Sequence, residues 1–229
     1  MTPIGVDVWS DVVCPWCYIG KRRFERALAE VRDELAVDVT YRPYQLDPTA
    51  APGTSQPVRD AYAAKFGGPE RADQIIAQVT AVAADDGIEF RLDRARRANT
   101  LLAHRLLWWA RQPDSPAAQS AVKERLLQAY FVDGLDIGDP DTLADCAAEL
   151  GFAPDTTLAF LESDRGAADV RSDLACAAEL GITAVPTFVV DGRWAIPGAQ
   201  DVETFAGILR RVRDQLADEA ASGAPSGGR

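Results

Sequence analysis

Positive charge is scarce in this chain: 24 lysines and arginines stand against 35 aspartates and glutamates, a formal charge of -11. The average surface field therefore repels phosphate backbones and anionic membranes, which argues against nucleic acid or a membrane surface as partner. Long apolar runs are missing, and no charged stretch leading into an apolar segment opens the sequence. The expectation is a soluble, uncleaved, cytoplasmic protein. Histidine occurs once and cysteine four times. Four cysteines are too few for a disulfide scaffold in a chain of 229 residues, and a reducing compartment shifts the expectation towards catalysis or metal binding. The length itself allows one large domain, or a small domain carrying a substantial insertion.

Hydrophobic periodicity divides the chain. Ile4 to Ser10 alternates as a strand does. A helix is expected from Pro15 to about Leu35, with Ile19, Phe24, Ala27, Leu28 and Val31 inward. Val37 to Arg42 alternates again, giving strand, helix, strand and a parallel crossover. From Asp47 to Gly53 proline, alanine and glycine mark a loop out of the sheet. The pattern is then helical: Ile75, Ile76, Val79 and Val82 line one helix, Ala98, Leu101, Leu102, Leu106 and Trp109 a longer one, and Val122, Leu126, Ala129 and Tyr130 a third. Asp139-Pro140 reads as a helix start, Gly151 as a stop, and a further helix spans roughly Gly166 to Leu180. Strand signal returns at Pro186 to Val190, and Asp191-Gly192 turns it into Arg193 to Ile196. A final helix, Val202 to Leu216, precedes a tail too poor in apolar residues to build a core. This order predicts an α/β chain in which residues 1–47 and 182–218 form a discontinuous sheet domain, 48–181 an all-helical insertion domain, and 219–229 a disordered tail.

The chemistry-bearing motif is Cys14-Pro15-Trp16-Cys17. Cys14 stands at a strand-to-helix junction with Pro15 at the first helical position, so its sulfur lies near the unpaired amides of a helix N-terminus. Such amides favour a thiolate, the species that attacks disulfides, and Cys14 is the expected nucleophile. Cys17, three residues on, is the expected resolving thiol, more buried and less ionised. Pro15 and Trp16 tune the pair, and Trp16 is either an apolar platform for substrate or a core side chain. Zinc would need two further ligands, but Cys146 and Cys176 are single cysteines in helical patterns and His104 is the lone histidine. No metal is expected. Cys146 and Cys176 read as helix core residues, joined by a disulfide only if the fold brings them close.

The segment Ser10-Asp11-Val12-Val13-Cys14-Pro15-Trp16-Cys17-Tyr18-Ile19-Gly20-Lys21 resembles the active-site segment of the DsbA-like thioredoxin superfamily, in particular its FrnE-like branch. Val185-Pro186-Thr187-Phe188 is similar to that superfamily's second hallmark, a cis-proline loop facing the dithiol, and the likeness extends through Asn99-Thr100, Ala103-His104-Arg105 and Gly198-Ala199-Gln200. The resemblance implies a thioredoxin fold with a large all-helical insertion. It also implies a cis Val185-Pro186 bond, with Pro186 beside the sulfurs and the Val185 backbone free to pair with an extended substrate or with glutathione. Gln200 and Asp201 would open the last helix, where amides can hold a carboxylate or Asp201 can simply cap. Asn99 and His104 are candidates for lining a cleft between the domains, although a lone helical histidine is more often structural. Asp11 is either a proton-transfer aid near Cys14 or an exposed loop acid.

The expected function is thiol–disulfide exchange in the reductase or isomerase direction, on a disulfide-containing protein or a small thiol. No cofactor would be resident, and glutathione or another thiol would serve as co-substrate. Pro-Trp in place of the Pro-His of periplasmic DsbA removes one stabiliser of the thiolate. Two alternatives stand beside this reading. 2-Hydroxychromene-2-carboxylate isomerases and kappa-class glutathione transferases share the architecture but carry serine where this chain has Cys14. A chaperone or binding module would not need the cysteines at all.

Overall fold

The computed structural model describes residues 3–222. It begins with β1 (Ile4–Ser10), α1 (Pro15–Val31) and β2 (Val37–Pro43). A two-stranded ribbon, β3 (Gln56–Pro57) with β4 (Arg96–Arg97), encloses α2 (Val58–Phe66) and α3 (Pro69–Asp85). Then follow α4 (Leu101–Trp109), α5 (Gln119–Gln128), a π-helical turn at Ala129–Asp133, α6 (Pro140–Ala148), α7 (Pro154–Glu162) and α8 (Ala167–Glu179). The chain closes with β5 (Thr187–Val190), β6 (Trp194–Pro197) and α9 (Val202–Ser222).

The main sheet has the order β2-β1-β5-β6, with β1 parallel to β2 and antiparallel to β5. Alternation along β1 sends Ile4, Val6 and Val8 to one face, where they meet Phe24, Ala27 and Val31 of α1 and Phe205, Leu209 and Val212 of α9. Phe24, Phe188 and Phe205 form an aromatic triad there, with centroids 4.7 to 5.1 Å apart. On the other face Trp9 packs with Ala177 of α8 and with Ile182.

The helices between β2 and α8 share a second, larger core, which Val12, Tyr18 and Ile19 join. α1 therefore spans both cores: its first turns lie in the helical core and its later turns in the sheet core. Two carboxylates fasten the helical block to it. Glu124 accepts from Tyr18 (2.8 Å), Lys21 (2.6 Å) and Arg22, and Asp86 accepts from Arg23 (2.8 Å) and Arg26.

Several boundaries differ from the sequence reading, for local reasons. α1 stops at Val31 rather than Leu35, where the Glu34 and Leu35 amides both turn back to the Val31 carbonyl. Ala98 precedes α4, which has nine residues, so the helix expected to be the longer is the shorter of the two, α3 having seventeen. Ala129 and Tyr130 belong to the π-helical turn, closed by Gly134 at φ 72°. α2 and α7 were not anticipated. Each follows or starts with a proline, and their apolar residues do not gather on one face, so the periodic signal is weak. At the sheet end, Pro186 precedes β5 and Arg193 stays in the turn, where Asp191 and Gly192 both take positive φ. α9 continues to Ser222, so Glu219 to Ser222 are helical and not part of a tail. Glu219 accepts both guanidinium bonds of Arg193, at 2.7 and 2.8 Å, which anchors that last turn to the hairpin. Residues 223–229 of the expected tail lie outside the described residues.

Candidate active site

Cys14 is the N-cap residue of α1, with extended backbone (φ -89°, ψ 115°), and Pro15 is the first helical residue. The Cys14 carbonyl accepts from the amides of Cys17 and Tyr18, so the helix starts within the motif. Cys17 then falls one turn along, beside Cys14. Both sulfurs are buried, Cys14 at 3% exposure and Cys17 at 2%, so the difference in access expected from the sequence is small. Burial pushes the Cys17 thiol well above its usual range, and the hydrogen bond with Cys14 adds to this. Trp16 between them is 41% exposed, a surface ring beside the pair rather than a core residue.

The Val185-Pro186 bond is cis, and the Cys14 thiol donates to the Val185 carbonyl at 3.7 Å. Among the described residues the Val185 amide has no hydrogen-bond partner. Pro186 is held from behind, its carbonyl accepting from the Gly198 amide at 2.7 Å. Gly20 permits the close approach of α1 to this loop: a Cβ there would lie 2.9 Å from Pro186 Cγ and 3.3 Å from Ala199 Cβ. Arg23 adds a bond to the Ala199 carbonyl at 2.9 Å.

Residues 5–210 match the model of the DSBA-like thioredoxin domain. The chain belongs to that family. A DSBA-like protein of Streptomyces coelicolor, the probable DsbA oxidoreductase SCO1869, is 33% identical and superposes with a TM-score of 0.82, covering 99% of this chain and 93% of that one. The uncharacterized protein YwbO of Bacillus subtilis is 30% identical over 205 residues, 88% of this chain and 94% of YwbO. The cytosolic disulfide reductase DsbM of Pseudomonas aeruginosa, in its structure with GSH, shares the fold at 20% identity and a TM-score of 0.59, covering 95% and 99% of the two chains. DSBA-like proteins are in general thiol–disulfide oxidoreductases acting on thiol or disulfide substrates.

The other candidates named from the sequence are committed to local contacts of this DSBA-like chain. Asp201 caps α9, its carboxylate accepting from the Thr204 amide at 2.7 Å, and Gln200 turns its amide to the Pro197 carbonyl at 2.6 Å. Asn99 holds the Ala50 carbonyl and the Leu101 amide, at 2.7 and 2.9 Å. His104 is buried, its Nε2 3.2 Å from Asp11 Oδ1 and 3.0 Å from the Tyr44 carbonyl. The seam that His104 lines, with Tyr41 and Trp108, encloses about 10 Å³, room for one water and no substrate. Cys146 and Cys176 are free thiols packed in different clusters.

Asp11 is fully buried rather than an exposed loop acid. Its carboxylate accepts from the Val12 and Leu46 amides, both at 2.8 Å, as well as facing His104. Three further residues reach the site without having been singled out. Lys123 is buried with Nζ unpartnered among the described residues, Tyr62 has its hydroxyl pushed up to about 12 by burial and by Cys14, and Gly20 is the contact point described above.

Proposed function

We propose that this chain is a thiol–disulfide oxidoreductase that works through the Cys14-Cys17 dithiol, reducing or isomerising disulfides by mixed-disulfide exchange. The Cys14 sulfur attacks a substrate disulfide and releases one thiolate. Cys17 then attacks Cys14, releases the second, and leaves an oxidised pair. Glutathione or another cellular thiol returns the pair to the dithiol. The observation that carries this reading is the contact of Cys14 Sγ with the Val185 carbonyl, 3.7 Å across the cis-proline loop. It sets the nucleophile beside a backbone whose free amide can pair with an extended substrate, and the Trp16 ring between the two cysteines in sequence adds exposed apolar surface. A reducing, cytoplasmic setting favours the reductase direction.

Insulin reduction with dithiothreitol or glutathione as electron donor tests the proposal. The wild-type protein is expected to accelerate it, Cys14→Ser to abolish the acceleration, and Cys17→Ser to accumulate a covalent adduct on Cys14 visible by mass spectrometry. Full activity in Cys14→Ser would sink the reading.

A further inference from the structure

α1 meets the segments that carry and support Pro186 at two points. Gly20 is the first, where the lack of a side chain lets Pro186 and Ala199 pack against the helix. Arg23, one turn further along the same face, is the second: its Nη1 donates to the Ala199 carbonyl at 2.9 Å. The same guanidinium donates through Nε to Asp86 Oδ2 at 2.8 Å, while Arg26 takes Oδ1.

Both ends of this series of contacts are fixed. Asp86 is buried and ends α3, in a turn closed by the Gly87 amide on the Ala84 carbonyl and the Ile88 amide on the Ala83 carbonyl, with Gly87 at φ 73°. Ile88 then enters the helical core. At the other end, residues 197–200 bond among themselves, the Gln200 amide to the Gly198 carbonyl at 3.1 Å and Gln200 Nε2 to the Pro197 carbonyl at 2.6 Å. Their Gly198 amide in turn holds the Pro186 carbonyl at 2.7 Å. Val185, the residue before Pro186, presents the free amide and the carbonyl that faces Cys14. A guanidinium is a planar fork, so holding its Nε on Asp86 also aims its Nη1 at Ala199.

We propose that Arg23 is a positioning residue for polypeptide substrates; this rests on the dithiol reading above and deepens it. Anchored by Asp86 of the helical block, Arg23 fixes the Gly198-Ala199 segment, and through it Pro186 and the Val185 backbone beside Cys14. An extended chain that pairs with Val185 needs that backbone within hydrogen-bond reach, whereas a small disulfide needs only the Cys14 sulfur. Arg23 therefore governs the preference for extended substrates over small ones, and not the reactivity of the thiol. Arg26 shares the carboxylate but donates nothing to the loop among the described residues, which makes it the internal control.

Two disulfides with the same coloured leaving group test this by stopped flow on the reduced protein. One is 5,5'-dithiobis(2-nitrobenzoate), and the other is an extended peptide whose single cysteine is capped by 2-nitro-5-thiobenzoate. In both, a bond forms from Cys14 Sγ to one sulfur, the disulfide breaks, and nitrothiobenzoate leaves with the electron pair. The readout is the ratio of the peptide rate to the small-disulfide rate for this first release. Arg23→Met and Arg23→Lys should each lower the ratio by roughly tenfold, the loss of one directed hydrogen bond, through weaker apparent affinity for the peptide at an unchanged limiting rate. Lysine keeps a charge beside Asp86 but has no fork to serve both partners, so its failure to rescue separates aim from charge. Asp86→Asn, which loosens the anchor at constant shape, should lower the ratio in the same direction and decides the matter should the Arg23 variants fail to fold. Arg26→Met should keep the wild-type ratio. A wild-type ratio in Arg23→Met, Arg23→Lys or Asp86→Asn, including equal slowing with both disulfides, overturns the assignment, as does an equal loss in Arg26→Met. Release by Cys14→Ser at the wild-type rate would instead overturn the dithiol reading itself.

Discussion

Gly20 of α1 and Pro186 of the cis-proline loop touch so closely that a single methyl group on the glycine would come within 2.9 Å of the proline ring. The dithiol helix and the substrate-facing loop are thus in register because one position has no side chain. Gly20→Ala is expected to push the loop away, lower stability by about 1–3 kcal/mol and slow exchange through misplacement of Val185. Gly207 in α9 is the control, since a Cβ there meets nothing within 4 Å. Gly207→Ala should stabilise by about 0.5–1 kcal/mol and leave exchange unchanged. Urea unfolding with insulin reduction on the same samples reads both.

Asp11 carries more of the local structure than His104 does. Asp11→Ala strands two buried amides and the His104 ring at once, with an expected loss of about 3–5 kcal/mol. His104→Gln keeps a donor near Asp11 and the Tyr44 carbonyl and should cost about 1–2 kcal/mol. A larger loss in His104→Gln than in Asp11→Ala, measured by chemical denaturation, would contradict the assignment of Asp11 as the hub.

Glu124 ties the helical block to α1, and its pH signature follows. Burial pushes its carboxyl up, but Lys21, Tyr18 and Arg22 together hold it below the usual range. A carboxyl lowered on folding adds stability above its ordinary pKa, and that stability drains away as pH falls through the lowered value. Glu124→Gln should therefore lose about 1–3 kcal/mol at neutral pH and show a shallower decline of melting temperature in acid.

Lys123 is charged at a cost where Glu124 is charged at a gain, although both lowered values make stability rise with pH. Burial lowers its amine from lysine's ordinary 10.5 to about 8, so between those values the unfolded chain binds more protons than the folded one. Stability should accordingly rise across that window, and below about 8 the protonated side chain imposes a constant cost, on the order of 1–3 kcal/mol. Lys123→Met should be more stable than wild type at pH 7 and lack the alkaline rise. Unfolding free energies from about pH 7 to 10 give the comparison.

The sheet elements, the hairpin and the dithiol at the head of α1 were legible because period-two alternation, Asp-Gly turns and proline at a helix start are local signals. α2 and α7 were not, because their apolar residues follow no clear helical period and pack on a core assembled from distant segments. The same difference runs through the site. Cys14 and Cys17 announce themselves by spacing, and Pro186 by the motif around it. Asp11 became a buried hub only when the segment after β2 and α4 brought Leu46 and His104 to it. Lys123 is more than a hundred residues from Cys17 in sequence, and nothing local shows that its amine lacks a partner. Trp16, ambiguous in sequence, stands on the surface in the first turn of α1.

The central claim is that Cys14 and Cys17 form one reversible redox couple, and an equilibrium titration in glutathione redox buffers tests it most directly. Intrinsic tryptophan fluorescence, with Trp16 between the sulfurs, and acid-quenched mass spectrometry report the state of the pair. The account predicts a single two-electron transition that is absent in Cys14→Ser and unaffected by Cys146→Ala with Cys176→Ala. No transition in the wild-type protein, or one that survives loss of Cys14, would contradict it.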